Sequence, residues 1–560
     1  MVHTMKEEIT SAITTVSKDL GLPPADFVVD YPTDKNAEAD YFSNVALVLA
    51  KQVGQAPHEV AQQLREALAG KINQVTTIEV AGPGFLNFTL DREYFTATLE
   101  SVLIARDNWG CNESEKGELV IVEYTSPNLF KPLHVGNLVG NIIGESFTRI
   151  YELSGATVVR ANYPSDIGLP VAKAVWGLKH TGNDPDKIEE LGLAYRVGNE
   201  AYEAGGPEKD EIIATNQALY GGTDSELSQL RQAGIVTSNT QINAICEKLG
   251  THFDTEIFES EAAPVGSEIV KENIGTLFVE SEGAVVYEGT RSGLHTRVFL
   301  NSKGLPTYEA KDIGHYKLKH EQNPDWTQSI IVTGSEQSEY FKVVFAAIKE
   351  LFIDAKGKRL EHIPTGFLTL STGKMSSRKG NVLTGESIIL EMEEAAKEKM
   401  TEQNNELATK VAVAALKYQI LRHGIGSNIV FDKEKALSFE GDSGPYLQYT
   451  YARIQSVLAK AVSADINPSL SHAPEKPYPV EKLVEHFPSV IESALTDRAP
   501  QAIVTYLTEL ASEFNSFYAQ EKIADAGDEF APYKAAVTTA VGLTLKQGLW
   551  ALGIEAPERM

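Results

Sequence analysis

The chain has 560 residues, with 77 acidic side chains against 50 basic ones, a formal charge of −27 and 42% hydrophobic residues. That length asks for about three to five domains, and the composition is that of a folded globular chain. No apolar run approaches the roughly 20 residues of a membrane span, the start lacks the charged-then-apolar pattern of a signal peptide, and Cys111 and Cys246 make no zinc-holding pattern; a reducing, cytoplasmic setting is expected, with any nucleic-acid binding confined to local basic patches.

Residues 1–112 read as a small α+β domain. Helices open the chain and run through AQQLREALAG, and two strand-like runs in TTIEVAGPGFLNFTL meet at a GPG turn. After DNWGCNESEKGE comes LVIVEYT, whose β-branched run predicts a buried parallel strand. Strands and helices then alternate over 113–385: a helix from about His134, TVVRANY before DIGLPVAKAVWGL, TRVFLNSKGLPTYEA, SIIVTG before SEYFKVVFAAIKELF, and finally GFLTL. This alternation predicts an α/β, doubly wound parallel sheet, a Rossmann-like catalytic domain, with a charged helical insertion at about 180–280. Beyond 386 the strands are expected to stop. VAVAALKYQILR, GPYLQYTYARIQSVLAKA, IVTYLTELASEFNSFYA and KAAVTTAVGLTLKQGLWAL predict an all-α bundle over 386–560, with SADINPSLSHAPEKPYP as a proline-rich loop.

Two segments carry chemistry. The first strand ends in Ser126-Pro127-Asn128-Leu129-Phe130-Lys131-Pro132-Leu133, and the next helix opens on His134-Val135-Gly136-Asn137. In doubly wound folds this turn is where nucleotides bind, because a helix N-terminus offers unpaired N–H groups and positive dipole to phosphate. Gly136 would let a base or ribose lie on the backbone, and Gly136, Gly140 and Gly144 form a stripe suited to a flat ligand or to helix–sheet packing. Farther on, Gly373-Lys374-Met375-Ser376-Ser377-Arg378-Lys379-Gly380 sets three cations among glycines and hydroxyls, a composition that can neutralise polyphosphate. Each alone has a plainer reading: a structural histidine, and a solvated basic turn.

Together, SPNLFKPLHVGN and KMSSRKG resemble the HIGH and KMSKS signatures of class I aminoacyl-tRNA synthetases, and the chain is similar to the arginyl-tRNA synthetases from end to end. GPGFLNFTL resembles that family's N-terminal domain, PTYEAKDIG and GSEQSEYFKVVF its later catalytic segments, GDSGPYLQYTYARI its helical anticodon-binding domain and GIEAPERM its C-terminus. Two positions depart from the signatures: Asn137 stands for the second histidine of HIGH and Ser377 for the second lysine of KMSKS. Lys131, just before the first signature, would supply the missing cation.

The resemblance implies ATP as substrate with Mg²⁺, no tightly bound metal, L-arginine and tRNA(Arg) as the other partners, no membrane, and a monomer. It further implies that tRNA must be bound before arginine is activated efficiently. It carries catalytic roles onto Lys131, His134, Asn137, Lys374, Arg378 and Lys379, with ATP contacts at His134, Gly136, Asn137, Lys374, Met375, Ser376 and Ser377. Glu123, Asn128, Tyr308, Asp312 and Gln337 would line the arginine pocket, which suits a guanidinium because it offers five donors and keeps its charge. Phe85 and Asn87 would meet the tRNA elbow, and Tyr446, Gln448, Tyr449 and Arg453 the anticodon loop. Plainer roles remain open: a helix cap for Asp312, an edge-strand charge for Glu123, a strand core for Phe85, and bundle core for any single tyrosine. Against other class I enzymes stand the short interval between His134 and Lys374, which leaves no room for an editing insertion, and the lack of a zinc site. The helical C-terminal region argues against a small-molecule adenylyltransferase, and Lys131, His134 and KMSSRKG against a catalytically dead scaffold.

Overall fold

The computed structural model describes residues 4–32, 38–222, 224–371, 384–400 and 404–560. Lys374, Met375, Ser376, Ser377, Arg378 and Lys379, the residues expected to bind ATP and phosphate, lie outside the described residues.

The first unit packs helices α1 (Met5–Asp19), α2 (Val45–Val53) and α3 (Pro57–Leu68) with strands β1 (Val29–Asp30), β2 (Tyr41–Ser43), β3 (Val75–Ala81) and β4 (Phe85–Leu90). The sheet is antiparallel, in the order β1-β2-β4-β3. Alternation in β4 sends Leu86, Phe88 and Leu90 into a core that runs from Met5 to Phe95 and leaves Phe85 and Asn87 on the opposite face. Helix α4 (Arg92–Ala105) leads away from this unit.

The central unit is built on five parallel strands: β5 (Leu119–Glu123), β6 (Thr157–Asn162), β7 (Thr255–Glu256), β11 (Gln328–Gly334) and β12 (Arg359–Thr365). Their order, β12-β11-β5-β6-β7, is that of a doubly wound fold whose direction of winding reverses between β5 and β11. Helices α5 (Val135–Leu153), α6 (Leu169–Thr181), α7 (Ile188–Ala204), α8 (Pro207–Gly221), α9 (Ser225–Leu249), α10 (Glu259–Glu272), α11 (Tyr308–Gln322) and α12 (Ser338–Leu351) accompany it. A separate antiparallel sheet of β8 (Phe278–Ser281), β9 (Ala284–Tyr287) and β10 (Arg297–Leu300) stands beside α11.

Several strand expectations are corrected. TRVFL, read as part of the parallel sheet, is β10 of the antiparallel one; a short apolar run before a helix does not reveal the direction of its partner. GFLTL is not the last strand of the main sheet. It forms β13 (Leu368–Leu370), paired with β14 (Ile429–Phe431), a strand in the region expected to have none. The true edge is β12, RLEHIPT, whose polar residues and Pro364 conceal a strand because only an edge tolerates them. Strand β7 likewise falls within the segment expected to be a helical insertion.

Helices α13 (Gly385–Lys399), α14 (Asn405–Leu421), α15 (Lys433–Ala436), α16 (Gly444–Ser463), α17 (Pro479–Thr496), α18 (Pro500–Gln520) and α19 (Ala531–Ala551) form the C-terminal bundle, and one apolar core runs from the main sheet into it. Helix α5 joins the two. A Cβ at Gly144 would collide with the Tyr124 ring beside the sheet, so this member of the glycine stripe serves helix–sheet packing, whereas one at Gly140 would meet the Val332 carbonyl at an ordinary 3.6 Å. At the far end of α5 the Ser146 hydroxyl donates to the Ala551 carbonyl at 3.1 Å. The first unit docks on α17 of the same bundle: Arg92 pairs with Glu481 at 2.9 Å, Lys482 with Asp40 at 2.6 Å, and the Tyr41 and Tyr94 hydroxyls both donate to Glu485.

Candidate active site

A cavity of about 1120 Å³ opens where the sheet reverses its winding, between the loop after β5, the start of α5, and residues of α11, β11 and α12. Its wall is a strained loop. Thr125, Ser126 and Phe130 have φ of 74°, 39° and 67°, a left-handed conformation costing roughly 1–2 kcal/mol for each such residue. Buried polar groups hold it there. Asn137 Nδ2 donates to the Thr125 carbonyl at 2.8 Å, Asn141 Nδ2 to the Thr125 hydroxyl at 2.9 Å, and the Phe130 N–H to Ser238 Oγ at 2.9 Å. Asn128 forms a bridge with Ser165, which fastens the loop to the segment after β6. Asn137 also lies 3.5 Å from the Ser126 carbonyl, so it shapes the wall while itself lining the cavity.

At the mouth, His134 caps α5, its Nδ1 accepting the Gly136 N–H at 3.0 Å. Burial and then Lys131 lower its pKa, so near neutral pH the ring is uncharged with its proton on Nε2, a donor free of the cap. A Cβ at Gly136 would press on that ring at 3.2 Å, which is why the turn takes glycine. Lys131 Nζ sits 5.3 Å over the Tyr195 ring, with no ion-pair partner among the described residues, and burial lowers its pKa. Thr384 pairs with His134 across an isolated bridge and the Gly385 N–H donates to the Leu133 carbonyl at 2.7 Å. The chain thus re-enters the described structure at the cavity mouth after residue 383.

The inner end is set by α11. Tyr308, Asp312, His315 and Lys319 recur at intervals of four, three and four, one face of a helix that runs from a half-exposed tyrosine to a buried imidazole and a buried ammonium. Glu123, the last residue of β5, is 3% exposed and accepts from both His315 Nε2 and Lys319 Nζ at 2.8 Å. Burial pushes its pKa up, but Lys319 and His315 outweigh that and hold it at about 2. Asp312 is treated differently. Its carboxylate accepts the Tyr340 hydroxyl at 2.6 Å and has no ion-pair partner among the described residues, and burial pushes its pKa up to about 8. Gln337 lies half-buried at the end of the 3₁₀ turn Ser335–Gln337 and lines the same cavity.

His315, Lys319, Tyr340 and Tyr163, whose ring stacks on His315 at 3.8 Å, were not expected from sequence. The spacing from Tyr308 and Asp312 along α11 is the signal that would have found the first two.

The residues expected to meet nucleic acid separate into two kinds. Phe85 and Asn87 lie on the outer face of the first sheet, with Phe85 edge-on to Phe42 at 5.8 Å. On α16, the Arg453 guanidinium lies 4.9 Å from the Tyr449 ring and 5.6 Å from that of Tyr518, both partly exposed, and it bonds Asn515, which also donates to the Tyr446 hydroxyl. Gln448 departs from expectation: it is fully buried, donating to the Glu555 carbonyl at 2.7 Å and the Lys410 carbonyl at 3.3 Å, and fastens the C-terminal tail.

Comparison with known proteins agrees with this geometry. Residues 98–433 match the family model of the class I tRNA synthetase (R) catalytic domain, residues 447–560 the DALR anticodon binding domain and residues 3–90 the arginyl tRNA synthetase N-terminal domain. The arginine–tRNA ligase of Levilactobacillus brevis is 32% identical over 91% of this chain and 92% of its own, and that of Streptococcus pneumoniae 31% over 99% and 100%. The solved structure of Thermus thermophilus arginyl-tRNA synthetase superposes over the whole of both chains with a TM-score of 0.81 at 25% identity. Fold and site therefore define a class I aminoacyl-tRNA synthetase. Within that class, the chain belongs to the arginyl-tRNA synthetase family.

Replacing Asn137 by alanine leaves the buried Thr125 carbonyl without its donor and frees the strained loop. Urea unfolding of Asn137→Ala is expected to show a loss of about 1–3 kcal/mol; an unchanged midpoint and slope would contradict the holding role.

Proposed function

We propose that this cavity activates L-arginine with ATP and passes it to tRNA(Arg), as an arginine–tRNA ligase. One observation carries the reading: among the described residues the cavity holds a carboxyl group without a cation at its inner end, Asp312, and an ammonium without an anion at its mouth, Lys131. Arginine offers a permanent cation at one end and a carboxylate at the other. ATP offers the polyphosphate that the mouth lacks.

In this reading Asp312 and Glu123 take the guanidinium, with Asn128, Tyr308 and Gln337 completing the pocket. The arginine carboxylate attacks the α-phosphate of ATP, an arginyl-adenylate forms, and pyrophosphate leaves. Charge accumulates on the phosphate oxygens, where Lys131, the His134 Nε2–H and the α5 N-terminus with Gly136 stabilise it, together with Lys374, Arg378 and Lys379. Met375, Ser376 and Ser377 contact ATP in the same reading, as does Asn137 from the wall that it also holds. No strong base is required, so the chemistry is positioning and electrostatics. Mg²⁺ enters with ATP, carried on its phosphates. The terminal adenosine 2′-hydroxyl of tRNA then attacks the activated carbonyl, releasing AMP.

We assign residues 113–385 to this catalysis, with an insertion at about 180–280, residues 1–112 to a tRNA contact through Phe85 and Asn87, and residues 386–560 to the anticodon through Tyr446, Tyr449 and Arg453. From the family resemblance we assign the protein to the cytoplasm as a monomer. No helix among the described residues is long and apolar enough to cross a membrane.

The test is an aminoacylation panel with each amino acid, total tRNA, ATP and Mg²⁺, in which only arginine is expected to be charged; charging by another amino acid, or none by folded protein, contradicts the reading. In the same assay Asp312→Asn is expected to raise the arginine KM by two orders of magnitude or so while sparing that of ATP, since a buried charged contact contributes about 2–5 kcal/mol. Lys131→Ala should lower the single-turnover rate of adenylate formation by roughly a hundredfold or more with tRNA affinity unchanged. An unaltered rate would return Lys131 to a solvated loop residue.

A further inference from the structure

Lys319 and His315 are buried ionisable groups that do not line the cavity, and the reaction as proposed makes no use of them. Both lie on one face of α11, and both bond the same oxygen of Glu123, Oε2, at 2.8 Å. All three side chains are about 4% exposed. Neither forms an ion pair with Asp312, which lies about one helical turn from His315 and two from Lys319 and, like Glu123, lines the cavity.

From this arrangement we infer that Lys319, assisted by His315, is a positioning residue that keeps Glu123 ionised and fixed in one rotamer with Oε1 left to the substrate guanidinium, while Asp312 is left for the substrate itself to neutralise. The inference rests on the assignment of Glu123 and Asp312 to the arginine pocket.

The charge count follows from the chemistry. Burial keeps His315 neutral near pH 7, so it donates to Glu123 through an Nε2–H and its Nδ1 carries a bare lone pair; that atom is buried without a hydrogen-bond partner among the described residues. Lys319, which also donates to Ser329 Oγ at 3.2 Å, therefore supplies the single positive charge that balances Glu123. Elsewhere around the pair stand Tyr163 after β6, Asp312 on the same helix, Glu259 of α10 and Tyr340 of α12, of which Glu259 already pairs with Lys311 at 2.5 Å. Lys319 is thus the cation that cancels Glu123, and arginine finds one unbalanced carboxylate rather than two. Without that cation both carboxyls would hold protons near neutral pH and both acceptors would be lost. With Lys319 in place only Asp312 does, and Lys319 achieves this without competing for the cavity.

The test compares arginine and ATP KM values across about pH 5.5 to 8.5 for four variants. Lys319→Met should raise the arginine KM on the order of a hundredfold near neutral pH and leave the ATP KM within about twofold. The variant should also gain a second titration on top of the one that Asp312 already gives the parent: without its cation Glu123 protonates more readily, so arginine KM falls with rising pH more steeply than in the parent until the new Glu123 pKa is passed. Lys319→Arg should recover most of the affinity. Glu123→Gln combined with Lys319→Met buries no unpaired charge, and should be no worse for arginine than Glu123→Gln alone, because Lys319 acts through Glu123. Should Lys319→Met not fold, the double variant and Lys319→Arg carry the comparison. A parental arginine KM in Lys319→Met, a pH-independent loss shared by both substrates, or additive losses in the double variant would overturn the inference. If Glu123→Gln itself spares the arginine KM, the pocket assignment beneath it is overturned, and the inference with it.

Discussion

An unbalanced carboxylate at the closed end of a cavity and an unbalanced ammonium at its mouth are costly to keep, because each group is partly taken from water without a counter-charge. The rest of the site can be understood as the scaffolding that makes this tolerable. Tyr340 holds the Asp312 carboxylate by a hydrogen bond, Tyr195 offers its ring face to Lys131, and the winding reversal between β5 and β11 supplies the crevice in which the two ends face the same ligand space. Neither group has a counter-charge among the described residues, so both await substrate.

The strained loop after β5 has the same logic. Three non-glycine residues in the left-handed region bring the strand end, Asn128 and the start of α5 around one cavity, and Asn137, Asn141 and Ser238 hold them. Helix α5 links this wall to the bundle at Ala551, and α17 of that bundle is where the first unit docks through Arg92 and Lys482. The outer face with Phe85 and the Tyr449–Arg453–Tyr518 cluster therefore keep a defined relation to the cavity. Glu485, buried under the Tyr41 and Tyr94 hydroxyls and pushed up to about 7, is part of that docking surface.

How much of this was legible in the sequence depended on whether a residue's neighbours are local. Strand β5 announced itself because LVIVE is apolar on both faces, and the helix from His134 because cap and glycine occur side by side. Strand β12 did not, since an edge strand shares its composition with loops. Helix α11, YEAKDIGHYKLKHEQ, has the composition of a solvated charged face, yet Lys311 and Lys319 are buried against Glu259 and Glu123 from other elements. Only tertiary pairing explains such charges. Gln448 failed for the same reason in reverse: a polar residue beside exposed tyrosines is covered by a tail more than a hundred residues away in sequence.

The central claim is that Asp312 is completed by the substrate. Calorimetric titration of arginine at about pH 7, in buffers of differing ionisation enthalpy, measures the protons exchanged on binding. With the Asp312 pKa near 8 in the empty pocket, the carboxyl is mostly protonated at that pH and must ionise to receive the guanidinium. Release of close to one proton per arginine, lost in Asp312→Asn, is the predicted result. Tight binding of arginine with no proton released would contradict the account.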